Sequence, residues 1–161
     1  MTPRTRQRMK TRSRQNESQR GVAAIEFLIV APLLMLVVLA VSELGWAFHQ
    51  YHTMTRASRD GARFAASNSL VGSVGIVYLS DSVIQQTGNL VVYGNATGAG
   101  EPILPGWSTA DVTVSSPDSE HVSVSARYGY IPLVGILPAF YGAQPTSLSF
   151  EMQSTVQMRA L

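Results

Sequence analysis

From Val22 to Val41 the chain runs for twenty residues with Glu26 as the only charge. As a helix rising 1.5 Å per residue, such a run is about 30 Å long, the thickness of a bilayer's hydrocarbon core. This run needs lipid or a large core around it, and 161 residues amount to one ordinary domain. The next charge is Glu43, followed by Leu44, Trp46, Phe48 and Tyr51. That half-polar, aromatic composition is expected where a helix leaves the bilayer, with Trp46 and Tyr51 as interface anchors. Pro32 fits a membrane helix, where neighbours satisfy the carbonyl it frees.

Charge is distributed very unevenly. Seven of the twelve basic residues, Arg4, Arg6, Arg8, Lys10, Arg12, Arg14 and Arg20, precede the apolar run, against the single acid Glu17. The remainder holds five basic and nine acidic residues, so the formal net charge of +2 reflects a basic tail on an acidic body. A basic cluster before an apolar span places the N-terminus in the cytoplasm and the residues after about position 46 on the far side. Arginine-rich runs also neutralise phosphates, but the position directly before a span favours the topological reading, and no nucleic-acid partner is expected. A secretory signal peptide would use Ala40 and Ser42 as the small residues at its cleavage site. The apolar run exceeds the usual h-region of about 7 to 15 residues, and Glu26 interrupts it near its start.

A carboxylate at the centre of a membrane helix costs about 2.5 to 3.5 kcal/mol, less near the edge, so Glu26 calls for a partner or a function. The run RGVAAIEFLIVAPLLMLVVLAVSELGWAFHQYHTMTRASRDGAR resembles the TadE-like family of minor pilins or pseudopilins of bacterial Tad (Flp, type IVc) pilus systems. The likeness covers roughly residues 20–64. Its features are Gly21, the Glu26-Phe27 pair, Pro32 in the helix, and the ending Arg59-Asp60-Gly61-Ala62. The resemblance implies cleavage between Gly21 and Val22 by a prepilin peptidase on the cytoplasmic face. It also implies storage in the inner membrane, and entry into, or assistance of, a pilus together with other subunits and the Tad assembly machinery. Glu26, Phe27 and Pro32 become the subunit-assembly residues. A cut after Gly21 would leave the Val22 α-amine four residues, about 6 Å of rise, from Glu26. The two opposite charges, at one membrane depth, suit pairing between adjacent helices.

Beyond the span, only Gly45 and Gly61 weaken a helix reaching Ser67. One stripe, Leu44, Phe48, Tyr51, Thr55, Ser58, Ala62 and Ala65, becomes smaller along its length and is expected to pack on a sheet. Arg56, Arg59 and Arg63 form a separate solvated face. Residues 68–110 read as glycine-rich loops with a short helix near Val77 to Gln86. Alternation at spacing two marks strands at Val112 and Val114, at Val122 to Tyr130, and at Leu148 to Met158, with Ser116-Pro117-Asp118-Ser119 as a turn. Between the last two, Ile131 to Tyr141 is conspicuously apolar. It either covers the open end of the core or presents a contact surface to membrane or partner, with Leu137 and Phe140 exposed to test.

Catalysis is not expected. With no cysteine there is no thiol nucleophile, disulfide or thiolate metal site. There is no Gly-x-Ser-x-Gly elbow, and no lysine after Lys10 to complete a phosphate loop. His49 and His52 lack an evident third metal ligand. Asp111, Asp118 and Glu120 read as ordinary turn acids, and Asn95-Ala96-Thr97 as a chance sequon. Trp107 reads as a core plug or an exposed loop aromatic and not as a sugar platform, and no cofactor or metal is expected.

The expectation is an α+β, pilin-like chain: a basic leader over residues 1–21, a membrane and extended helix over 22–67, and a periplasmic domain over 68–161 built on a small antiparallel sheet. A second reading, from another class, is an uncleaved single-span anchor carrying a periplasmic binding or sensory module.

Overall fold

The computed structural model describes residues 6–69, 77–134, 136–137 and 146–160, with side chains from residue 21 onward outside the Ile136–Leu137 and Thr146–Ser147 pair. The long helix α1 (Arg6–Asn68) contains Pro32. It is followed by α2 (Asp81–Tyr93), a single 3-10 turn (Thr109–Asp111) and β1 (Val112–Ser115). Then come β2 (His121–Gly129), β3 (Ile136–Leu137), β4 (Thr146–Ser147) and β5 (Glu151–Arg159). The chain divides into two compact units, residues 1–42 and 43–161.

In the first unit α1 carries the apolar run, and the large side chains of Val22, Ile25, Phe27, Leu28 and Met35 are all exposed. Pro32 has no N–H, so the Leu28 carbonyl has no partner one turn on. Ser42 Oγ donates to the Val38 carbonyl at 2.8 Å, which keeps that hydroxyl satisfied without a neighbour.

The second unit is an α+β fold. Its main sheet is an antiparallel meander in the order β1-β2-β5. Val112 lies opposite Ala126 and Val124 opposite Val156. The short β3 and β4 pair separately as a hairpin. The alternation expected from the sequence is realised in β2, where Val122, Val124, Ala126 and Tyr128 are buried. The intervening positions are polar, and Ser125 and Thr155 hydroxyls meet across the sheet at 3.1 Å. The third strand begins at Glu151, later than the expected Leu148, although the Phe150 carbonyl still accepts from the Tyr130 N–H at 2.8 Å.

The core joins Met54, Ala57 and Ala62 of α1 to Val91 and Val92 of α2 and to Val124, Ala126, Tyr128 and Met152 of the sheet. The buried stripe of α1 is therefore Gln50, Met54, Ala57/Ser58, Gly61/Ala62 and Ala65/Ala66. This corrects the expected stripe at its start: Ser58, Ala62 and Ala65 are buried, but Leu44, Phe48 and Tyr51 are exposed. At its start the helix turns Trp46, Gln50 and Met54 toward the domain instead, and only from Ala57 onward are the facing residues small enough for close approach. Gly61 shows how close that approach is, since a Cβ there would collide with Val91 Cγ2 of α2.

The second helix also lies later than expected. Ser80 caps it by accepting from the Val83 N–H, and Gly94, in the left-handed region at φ 73°, ends it with its N–H on the Leu90 carbonyl. The stop at Gly94 outweighs the internal Gly88, which is buried in the helix. Of the two readings of Trp107 the structure takes the core plug: the side chain is buried, its Nε1 donating to the Arg127 carbonyl at 2.8 Å and its ring edge-on to Tyr128. Within the apolar connection only residues 131–134 and the Ile136–Leu137 strand are described. The Phe140 position and the Leu137 side chain lie outside the described residues.

Candidate functional site

The residues singled out for processing and assembly all lie on α1. Gly21, Val22, Glu26, Phe27 and Pro32 are exposed in the helix, and nothing lies within 4 Å of a Cβ built on Gly21. Among the described residues Glu26 has neither hydrogen bond nor ion pair. Among the described residues, then, Glu26 is an unpartnered acid four residues after Val22, on a helix whose apolar side chains are exposed.

Residues 43–50, directly after the span, are built differently. The Glu43 carboxylate accepts from the Tyr130 hydroxyl at 2.9 Å through Oε1 and from the Val134 N–H at 3.3 Å through Oε2. Trp46 Nε1 donates to the Ile131 carbonyl at 3.1 Å, and Gln50 Nε2 donates to the same oxygen at 2.9 Å. Gln50 Oε1 in turn accepts from the Ile131 N–H at 3.3 Å, so the buried amide closes a two-way clasp on one residue. Burial, with the Glu43 hydrogen bond and charge adding to it, pushes the Tyr130 phenol up to about 12. The clasp fixes residues 130–134 to the first turns of helix beyond the span.

Sequence reading saw Glu43 only as the next charge and Trp46 as an interface anchor. The structure makes Trp46 a half-buried donor within the fold. The available signal was an acid and an amide-bearing residue, Gln50, seven apart on one helix face, opposite a Tyr-rich strand end. Their partners are more than eighty positions away and could not be paired from spacing.

The other candidates are not gathered into a centre. His49 stacks on Trp46 with ring centroids 5.4 Å apart, and with His52, Thr53 and Arg56 it lines a shallow groove on α1. Asp111 closes a capping box with Ser108. Asp118 binds the ring and N–H of His121 and the N–H of Glu120, and these bonds, the Glu120 N–H foremost, hold its carboxyl below the usual carboxylate value. Asn95 is used within its loop, donating to the Tyr93 and Ala99 carbonyls and accepting from the Ala99 N–H. No group of three metal-capable side chains occurs among the described residues.

One helix among the described residues, Gly21–Asn68, is long and apolar enough to cross a membrane, and nothing in its most apolar window is buried. The structure thus defines a chain with one candidate membrane helix leading into a small α+β unit. Residues 21–63 match the family model described as TadE-like protein, consistent with a TadE-like protein of Tad pilus systems. No curated protein and no solved structure matches the chain.

Proposed function

We propose that the chain is a minor pilin or pseudopilin that takes part in assembling a Tad-type pilus, anchored in the bacterial inner membrane with its N-terminus cytoplasmic and residues 43–161 periplasmic. The supporting observation is the coincidence of the family match over residues 21–63 with an apolar helix that the fold leaves bare. In this reading a prepilin peptidase cuts between Gly21 and Val22, and the work that follows is assembly and not catalysis. Lateral packing of the span supplies association. Glu26 supplies register, because its carboxylate gains a partner only when a neighbour brings its own Val22 α-amine to the same depth.

The intact mass of the membrane-extracted protein, with and without the peptidase, tests this. A peptidase-dependent start at Val22 is expected, and Glu26→Ala should be processed yet fail to support pilus production. A retained 1–21 segment would instead support the uncleaved anchored module. A start near Glu43 would make the chain a secreted domain.

A further inference from the structure

The three-stranded sheet ends on one side in β1, four residues long, and on the other in β5, nine residues long. Among the described residues nothing pairs with the outer side of β5. That edge also lacks the devices that ordinarily guard a free strand. It holds no proline or lysine, its register with β2 runs through nine consecutive pairs without a bulge, and its only charges are the terminal Glu151 and Arg159. The backbone groups it offers follow from its flanks. The Phe150 carbonyl accepts from the Tyr130 N–H and the Ala160 N–H donates to the Glu120 carbonyl, both at 2.8 Å, so even-numbered residues turn their backbone toward β2. Backbone direction alternates along a strand, which leaves the N–H and C=O of residues 151, 153, 155, 157 and 159 facing outward.

We infer that β5 pairs antiparallel with β5 of a second copy of this chain, centred on Thr155, so that the two sheets join into one. The inference concerns the 43–161 unit alone and stands apart from cleavage and membrane anchoring. In that direction and register the strand is complementary to itself. Glu151 falls opposite the partner's Arg159, Gln153 opposite the partner's Gln157, and Thr155 opposite the partner's Thr155. These are the positions whose backbone faces outward, so they form the narrow hydrogen-bonded pairs, about ten bonds in all. Between them, on the core face, Met152 meets the partner's Met158 and Ser154 the partner's Val156, which covers the half-buried Val156 and Met158 of each copy. Met152 also lines an open groove of about 300 Å³ with Leu44, Phe48, Tyr51 and Phe150, so the partner's Met158 arrives beside an apolar surface. Charge favours the same arrangement. Glu151 lies 3.8 Å from Arg127 and Arg159 lies 3.2 Å from Glu120, all at exposed positions, so each can take a further partner. Across the joint the signs then alternate: Arg127, Glu151, the partner's Arg159, the partner's Glu120. A parallel in-register pair would instead set like charges directly opposite each other at both ends, which destabilises.

The absence of native cysteine makes disulfide cross-linking of single-cysteine variants a direct test. The full chain in detergent would carry Thr155→Cys, Gln153→Cys or, as a control on the exposed face of α2, Gln86→Cys, and dimer formation under mild oxidation would be timed. Opposed residues of a narrow pair have Cα atoms about 5.5 Å apart, within disulfide reach. Gln153 lies four residues, about 14 Å along the strand, from the partner's Gln153. Thr155→Cys is therefore expected to link at least about tenfold faster than Gln153→Cys or Gln86→Cys alone. A mixture of Gln153→Cys with Gln157→Cys chains should come within about twofold of the Thr155→Cys rate. Adding Thr155→Pro to that mixture should abolish linkage and leave the fold intact by tryptophan fluorescence, because the N–H it removes faces away from β2. Glu151→Arg should slow linkage at Thr155→Cys, and Arg159→Glu in the same chain should restore it. A Thr155→Cys rate no higher than that of Gln86→Cys would overturn the pairing. A Gln153→Cys rate equal to that of Thr155→Cys would overturn its register and direction, and linkage that survives Thr155→Pro would overturn the backbone ladder.

Discussion

The two halves of α1 use apolar residues in opposite ways. Over residues 22–41 the largest side chains point outward, with Phe27, Leu28, Ile29 and Met35 between 67% and 74% exposed. Over residues 50–69 the inward face is Gln50, Met54 and then Ala, Ser and Gly. The first half leaves burial to its surroundings, and the second brings its backbone close to α2 and the sheet. Hydrophobicity along one helix is thus no guide to which part its own domain covers. Bulk marks the half left exposed, and from Ala57 onward small residues mark the half that packs against protein.

Truncating a side chain in each half should separate the two. Met54 is wholly buried in the core cluster, so Met54→Ala is expected to cost about 2 to 5 kcal/mol of unfolding free energy. Leu34→Ala, on the exposed apolar run, should stay within about 0.5 kcal/mol of the parent. Denaturant unfolding of the detergent-solubilised full chain, followed by the fluorescence of Trp46 and Trp107, measures both. Comparable losses at the two positions would abolish the distinction between the halves.

The two glycines of the helix beyond the span sharpen the same point with opposite signs. Gly61 has no room for a methyl group because Val91 of α2 occupies it, so Gly61→Ala is expected to destabilise by about 1 to 3 kcal/mol through overpacking. Gly45 has nothing within 4 Å, and Gly45→Ala should stabilise by about 0.5 to 1 kcal/mol through helix propensity alone. Parallel shifts in the unfolding midpoint would mean that α1 and α2 do not pack as described. The Gly61 result also gives a physical reason for a glycine near the end of the matched segment: Val91 of α2 occupies the space a side chain would need.

Much of this was legible from local pattern. The apolar run and the antiparallel meander follow from composition and periodicity. So does the polar outer face of β2, where Ser123, Ser125 and Arg127 alternate with Val124 and Ala126. What could not be read depends on contacts between distant positions. The rotation of α1 that buries Met54 and exposes Phe48 is set by the close approach at Gly61. Glu43 looked like a bare boundary charge because Tyr130 and Val134 reach it only after the sheet has formed. The placement of α2 turned on Ser80 and Gly94, local caps that outweigh the internal Gly88. Of the candidate assembly residues, sequence supplied the positions, and the structure added that Glu26 has no partner among the described residues.

The smallest expected effect concerns how each end of the second unit responds to pH. Tyr130 is protonated in the fold and its phenol is pushed up to about 12, chiefly by burial and then by Glu43. Its contribution is therefore complete below pH 10, the ordinary tyrosine value, and falls away as pH rises toward about 12. Tyr128, raised by burial and donating to the Pro105 carbonyl, adds to the same alkaline limb. At the β1–β2 turn the sign reverses. Asp118 is held below its ordinary value, so its contribution is present above about pH 4 and is lost as pH falls through the depressed value. Tyr130→Phe removes the hydroxyl on Glu43 and should flatten, without abolishing, the alkaline limb while leaving the acid limb unchanged. Asp118→Asn should do the converse, with the smaller amplitude expected of an exposed turn. Unfolding midpoints between pH 3 and 12, with phenolate absorbance read in parallel, check both. An alkaline limb unaltered by Tyr130→Phe would show that the clasp on residues 43–50 does not contribute to stability.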